Sequence, residues 1–176
     1  MTSKSPEGME HLLPTFHGQS AQILAYVAAK GTATSEDIRK DLGMPRSTIY
    51  KLLSQLVKTG LATREKVGNV DEVRVPDFSF VIKNTAYIAE CKVTPRNILA
   101  FDSAHTPVGK MFAERHGPEK FAEFVALYDR YESGATTSQL MARELGVTRY
   151  EIELLLSDIK SIAPAVVNIG RRSHRR

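Results

Sequence analysis

The 176-residue sequence predicts an α+β, mainly helical fold, and three patterns in it do so. Residues 34–58 read as two short amphipathic helices interrupted at Gly43. Residues 61–75 then alternate in polarity about a central Gly68-Asn69, the pattern of a hairpin. Finally, the packing positions of that helix pair recur 103 residues further on, between Gly134 and Ile159.

Taken in order, residues 1–17 hold Pro6, Gly8 and Pro14 with few periodic apolar positions, and are expected to be a flexible arm. Ile23, Leu24 and Val27 fall at helical spacing within residues 19–30, and Gly31 ends that helix. Thr34 or Ser35 caps a second helix that carries Glu36 and Asp37 in its first turn and Ile38 and Leu42 on its apolar side. After Gly43, Pro45 suits the first turn of a third helix over residues 45–58, where a missing N–H costs little. Ile49, Leu52, Leu53 and Leu56 form its apolar stripe, and Thr59-Gly60 stops it. Strands over 61–67 and 70–75 complete a unit of residues 18–76.

Residues 77–106 read as a central β-hairpin and connector. Phe78, Phe80 and Ile82 alternate, Lys83-Asn84 supplies a turn, and Tyr87, Ile88 and Val93 continue. Residues 94–106 look irregular between Pro95 and Pro107. Helical patterning returns over residues 107–164, broken at Gly117-Pro118. Here Gly31, Thr34, Leu42, Gly43, Ile49, Leu52 and Leu56 find counterparts in Gly134, Thr137, Leu145, Gly146, Ile152, Leu155 and Ile159. Residues 165–176 form a basic tail. The expected architecture is thus an N-terminal winged helix-turn-helix, a central β-hairpin and a C-terminal helical module resembling a helix-turn-helix.

Charge follows this division. Residues 18–70 carry eight Lys/Arg against four Asp/Glu, whereas residues 119–162 carry five against eight. The tail adds Arg171, Arg172, Arg175 and Arg176. Positive charge on the first helix pair and on the tail is the footprint of a polyanion binder. Other classes are disfavoured. No apolar run approaches the ~20 residues that span a bilayer, and no signal-peptide core is visible in the first residues, so no membrane partner and a cytoplasmic location are expected. The single Cys91 excludes an internal disulfide or a cysteine-rich zinc site, and the five histidines are scattered, so no metal or other cofactor is expected. No phosphate-loop glycine pattern occurs, and Ser103 with His105 lacks an orienting acid.

The third helix carries the chemistry. Arg46 at its start can fork onto guanine O6 and N7, and Ser47 and Thr48 suit phosphate oxygens. Tyr50 and Lys51 lie one turn on, and Ser54 and Gln55 extend the polar face. On the hairpin, Arg64, Lys66 and Asn69 suit backbone or minor-groove contact, and the tail arginines suit phosphates. In the repeat the corresponding helix offers Arg149, Tyr150, Glu151, Glu153 and Leu154; two carboxylates there point to a packing or dimerising role rather than a second DNA reader.

The run Ser47-Thr48-Ile49-Tyr50, followed by Leu53, Leu56 and Gly60-Leu61, resembles the broad winged helix-turn-helix DNA-binding regulator superfamily, including multiple-antibiotic-resistance-type and sugar-transport-type archaeal regulators. The resemblance covers residues 18–76, under half the chain, and implies that helix 45–58 is a recognition helix leading into a wing. The expectation is a sequence-specific double-stranded DNA-binding protein acting as a homodimeric transcriptional regulator, without enzymatic activity. An architectural or partition-type DNA binder would share these features. A different alternative rests on Asp77, Glu90 and Lys92, whose order and spacing resemble the metal-dependent nuclease core of restriction enzymes and junction resolvases. There two carboxylates hold Mg²⁺ and the lysine steadies a water. The helix-strand pair that completes such a core is not visible after Lys92.

Overall fold

The computed structural model describes residues 18–83 and 86–166. It divides between Pro76 and Asp77 into two compact units. The architecture is α+β and mainly helical, with small antiparallel sheets.

In the first unit, α1 (Gly18–Lys30), α2 (Ser35–Leu42) and α3 (Arg46–Lys58) surround a core of Ile23, Leu24, Tyr26, Val27, Ile38, Ile49, Leu53 and Leu56, all fully buried. Each such side chain contributes roughly 1.5–3 kcal/mol of burial, so helix packing rather than propensity holds these short helices. Thr34 starts α2 with a capping box: its hydroxyl accepts from Asp37 N at 3.1 Å, and Asp37 Oδ2 accepts from Thr34 N at 3.0 Å. Gly43 ends α2 in the left-handed region (φ 68°), which turns the chain sharply into α3. The Tyr26 hydroxyl ties α1 to the last turn of α2 by donating to Asp41 Oδ2 at 2.5 Å. Burial first, then that hydrogen bond, pushes its pKa upward.

The wing is β2 (Thr63–Val67) paired antiparallel with β3 (Val70–Arg74), closed by Gly68-Asn69. A two-residue strand, β1 (Ala33–Thr34), pairs with the other edge of β3. Nothing in the local sequence pattern announces β1, which exists because β3 offers it an edge. Pro45 sits one residue outside α3, at its N-cap, instead of within its first turn. Ile49 N bonds back to Pro45 O at 3.1 Å, so the helix begins at Arg46.

The second unit begins with β4 (Phe80–Ile82) and β5 (Cys91–Val93), paired antiparallel. The expected turn residue Asn84 lies outside the described residues. The stretch read as irregular is in fact α4 (Ile98–Asp102) followed by a 3₁₀ turn (Ser103–His105). All five residues of α4 are buried. A helix buried on every side has no stripe for periodicity to reveal. Four longer helices follow: α5 (Pro107–His116), α6 (Pro118–Glu132), α7 (Ser138–Leu145) and α8 (Arg149–Ile162). Phe112, Phe121, Phe124 and Tyr128 build an aromatic core, with successive ring centroids 5.7–6.3 Å apart. The α7–α8 pair begins where a shift of 103 residues from α2–α3 places it, and Gly146 repeats the left-handed turn (φ 67°) of Gly43.

Candidate nucleic-acid interface

The packing of α3 decides which of its residues face solvent. Ile49, Leu53 and Leu56 are buried, so Arg46, Ser47, Tyr50, Lys51, Ser54 and Gln55 form an exposed stripe on the other side, with Thr48 half-buried at its edge. Six polar or aromatic side chains within three turns thus share one accessible face. Tyr50 is 47% exposed, an unusual position for a ring with no core to fill.

The two helix-turn-helix units differ at the start of their second helix. No side chain caps α3, because Pro45 has none to offer, so the N–H groups of its first turn point outward unclaimed by a cap. That end also bears the positive end of the helix dipole. In α8 the equivalent end is closed by the chain itself. Thr148 Oγ1 accepts from Glu151 N at 3.2 Å, and Glu151 Oε2 accepts from Thr148 N at 3.1 Å. Glu151 also meets His116 Nε2 at 2.8 Å and Arg115 Nη1 at 3.1 Å. The His116 contact first, with the Thr148 and Arg115 hydrogen bonds adding to it, lowers the Glu151 pKa to about 2. An anion approaching α8 meets this carboxylate; one approaching α3 meets amides.

Arg46 is not idle in the free protein. It lies 3.5 Å from Glu36 Oε2, and Glu36 is also gripped by Arg39, whose Nε donates at 2.9 Å. Those partners, Arg39 foremost, hold the Glu36 carboxyl below its usual range. The acidic first turn of α2 was legible as a cap signal, but a carboxylate poised on the first arginine of α3 was not. The turn that joins the helices brings Glu36 and Arg46 together across ten residues.

Register determines the polarity of the wing. Arg64 lies opposite Val73 and Lys66 opposite Asp71, while Glu65 lies opposite Glu72. Directly opposed residues project from the same face of an antiparallel pair. Arg64 and Lys66 therefore share the face on which Val73 and its other neighbour Ala33 are buried, and the two glutamates share the opposite face. Lys66 and Asn69 lie towards the exposed tip with Val67 and Val70. The tail arginines Arg171, Arg172, Arg175 and Arg176 lie outside the described residues.

The residues of the nuclease alternative are arranged differently from the adjacent strand positions that their spacing suggested. Lys92 is in β5 opposite Val81, Glu90 precedes β5, and Asp77 precedes β4. Glu90 and Asp77 thus lie beyond opposite ends of the paired segment. At about 3.3 Å per extended residue, the four positions between Asp77 and Val81 alone span roughly 13 Å, several times a metal–ligand distance. Among the described residues no group of three or more His, Cys, Asp or Glu side chains is placed to hold a metal ion. Cys91 is buried, and burial pushes its thiol pKa up to about 11. No helix among the described residues is long and apolar enough to cross a membrane.

Residues 16–79 match the model of a family described as sugar-specific transcriptional regulator TrmB. Residues 110–168 match that of a family of unknown function, DUF7437. No curated protein and no solved structure matches the chain. The first match spans every element from α1 to β3, and it bears out the resemblance to winged helix-turn-helix DNA-binding regulators.

Proposed function

We propose that the chain is a sequence-specific double-stranded DNA-binding transcriptional regulator that acts as a homodimer. The observation that carries this reading is the exposed polar stripe of α3, ending at a helix N-terminus that no side chain caps. In the proposed complex α3 lies in the major groove. Arg46 leaves Glu36 to reach guanine, and Ser47, Thr48 and the first-turn amides take a phosphate. Tyr50, Lys51, Ser54 and Gln55 follow the groove. Arg64, Lys66 and Asn69 hold the adjacent backbone from the wing, and the arginine tail adds contacts to phosphates without choosing among sequences. The match of residues 16–79 to a transcriptional-regulator family supports the same reading.

Glu36 has a role in it. It neutralises Arg46 and Arg39 in the free protein, so a non-specific duplex must displace it before Arg46 engages. The test is selection from a random duplex pool, followed by anisotropy titration of the selected and scrambled sites at two salt concentrations. A preferred site bound at least about a hundredfold better than scrambled DNA is expected. Equal affinity for all duplexes would leave only an architectural binder.

A further inference from the structure

On the second unit a notch of about 60 Å³ opens between α5 and α8. Its walls and floor are Val108, Met111, Phe112, Leu154 and Leu155, with Arg115 and Glu151 at the rim. Met111 is 61% exposed and Leu154 40%, and Tyr150, one turn before Leu154 on α8, is 69% exposed. Three large side chains in the open around an apolar notch make a surface that gains by being covered.

The internal repeat indicates what this face is for. Shifted by 103 residues, Tyr150 and Leu154 stand where α3 carries Ser47 and Lys51. The helix face that is polar and basic in the first unit is apolar in the second, while the buried positions of both helices remain apolar. Its charges are also balanced in sign. Arg149 Nε lies 2.7 Å from Glu153 Oε1, and Arg115 Nη1 lies 3.1 Å from Glu151 Oε1. A face of two cations and two carboxylates attracts neither a polyanion nor a strongly basic partner. It does fit its own image. Across a two-fold axis each arginine meets a carboxylate of the copy, and each apolar knob meets the notch.

We infer that the Met111–Tyr150–Leu154 face is one half of an isologous interface between two copies of this chain, with Met111 and Leu154 of each copy seated against the α5–α8 notch of the other. This deepens the homodimer of the proposed function by giving it a surface. It uses no residue of the α3 face.

Sedimentation velocity on the full chain without DNA tests it, at about 50 µM, where a dimer of micromolar affinity is largely assembled. Wild type is expected to be a dimer. Leu154→Glu and Met111→Glu are each expected to weaken it by about tenfold or more, because a desolvated charge opposes association. Leu154→Met should keep the dimer. Val67→Glu, at an equally exposed apolar position of the wing, should leave it unchanged. Circular dichroism checks that each variant is folded. A monomeric wild type, an undiminished dimer in both glutamate variants, or equal weakening by Val67→Glu would each overturn the inference. So would a monomer that dimerises only when residues 167–176 are removed, since the face would then belong to the chain's own tail. DNA binding is read separately. Loss of the dimer in Leu154→Glu with no DNA binding by wild type would sink the regulator reading and leave this interface standing.

Discussion

Gly109→Ala is a perturbation on which local and tertiary reasoning disagree in sign. Gly109 lies inside α5, where helix propensity alone favours alanine by about 1 kcal/mol. A Cβ built there would stand 1.8 Å from Ser103 O and 2.7 Å from Ser103 C, and real Cβ contacts essentially never fall under 3.0 Å. The obstacle is backbone, held in place by the 3₁₀ turn and by Thr106, whose amide donates to Ser103 O at 3.1 Å. Relief therefore requires α5 to retreat by more than 1 Å from the segment it packs on. That retreat loosens Phe112 and Ala113, both buried, and stretches the 3.1 Å bond from Gly109 N to Thr106 Oγ1. Overpacking of this kind costs about 1–3 kcal/mol, and partial loss of Phe112 burial adds about 1 kcal/mol. With the propensity gain set against these, the expected net loss is about 2–3 kcal/mol. For a unit of this size that lowers the melting temperature by roughly 10–20 °C. Differential scanning calorimetry of the full chain reads it directly. A melting temperature that is unchanged or raised would refute the close approach of α5 to Ser103 and the packing built on it.

Further outcomes are expected at the interface and at the α8 cap. Arg46→Ala should weaken binding to the selected site by about 1–3 kcal/mol and relax preference at one base pair in the titration series. Glu36→Gln should tighten binding to selected and scrambled DNA alike, since it removes a negative charge beside Arg46; unchanged or weaker binding would take Glu36 out of the account. Deleting residues 171–176 should lower affinity for all sequences equally and flatten the salt slope by up to about 0.9 for each phosphate no longer neutralised; a changed preferred sequence would make the tail a reader of bases. The Glu151 carboxyl titrates at about 2 when folded against roughly 4.3 unfolded. A depressed folded pKa stabilises the second unit above the unfolded value, and that stability drains away as pH falls from about 4 towards 2. Discounted for its partial exposure, the contribution is about 1–2 kcal/mol. Glu151→Gln should lose it at neutral pH and flatten the acid limb of a melting-temperature profile between about pH 5 and 3. With Mg²⁺ or Mn²⁺, supercoiled and branched DNA should remain uncut, and Glu90-dependent cleavage on a gel would reinstate the nuclease alternative.

Much of the first unit was legible before any tertiary information, because its signals are local. Thr34 caps, Gly43 turns left-handed, Pro45 begins a helix, and Gly68-Asn69 closes a hairpin; each acts through its own backbone conformation or its nearest amides. The stripe Ile49, Leu53 and Leu56 fixes by periodicity which side of α3 is hidden, and so which residues form the candidate reading face. The repeat at 103 residues was legible for the same reason: glycines and apolar spacing survive where surface chemistry does not. What only the tertiary structure decided concerns residues whose meaning depends on a distant neighbour. α4 escaped periodicity because packing covers all its sides. β1 exists only beside β3. Glu36 reaches Arg46, and Glu151 joins His116 and Arg115, through the approach of separate helices. The register of β4 with β5 separates Asp77 from Glu90 although their order in the chain suggested a site. Gly109 appears an ordinary helix weakness until Ser103 O is found in the space a side chain would need. Local free energies are set by a few adjacent residues and are written in their order; contacts between elements depend on where folding brings the chain back to itself, and that placement is a property of the packed whole.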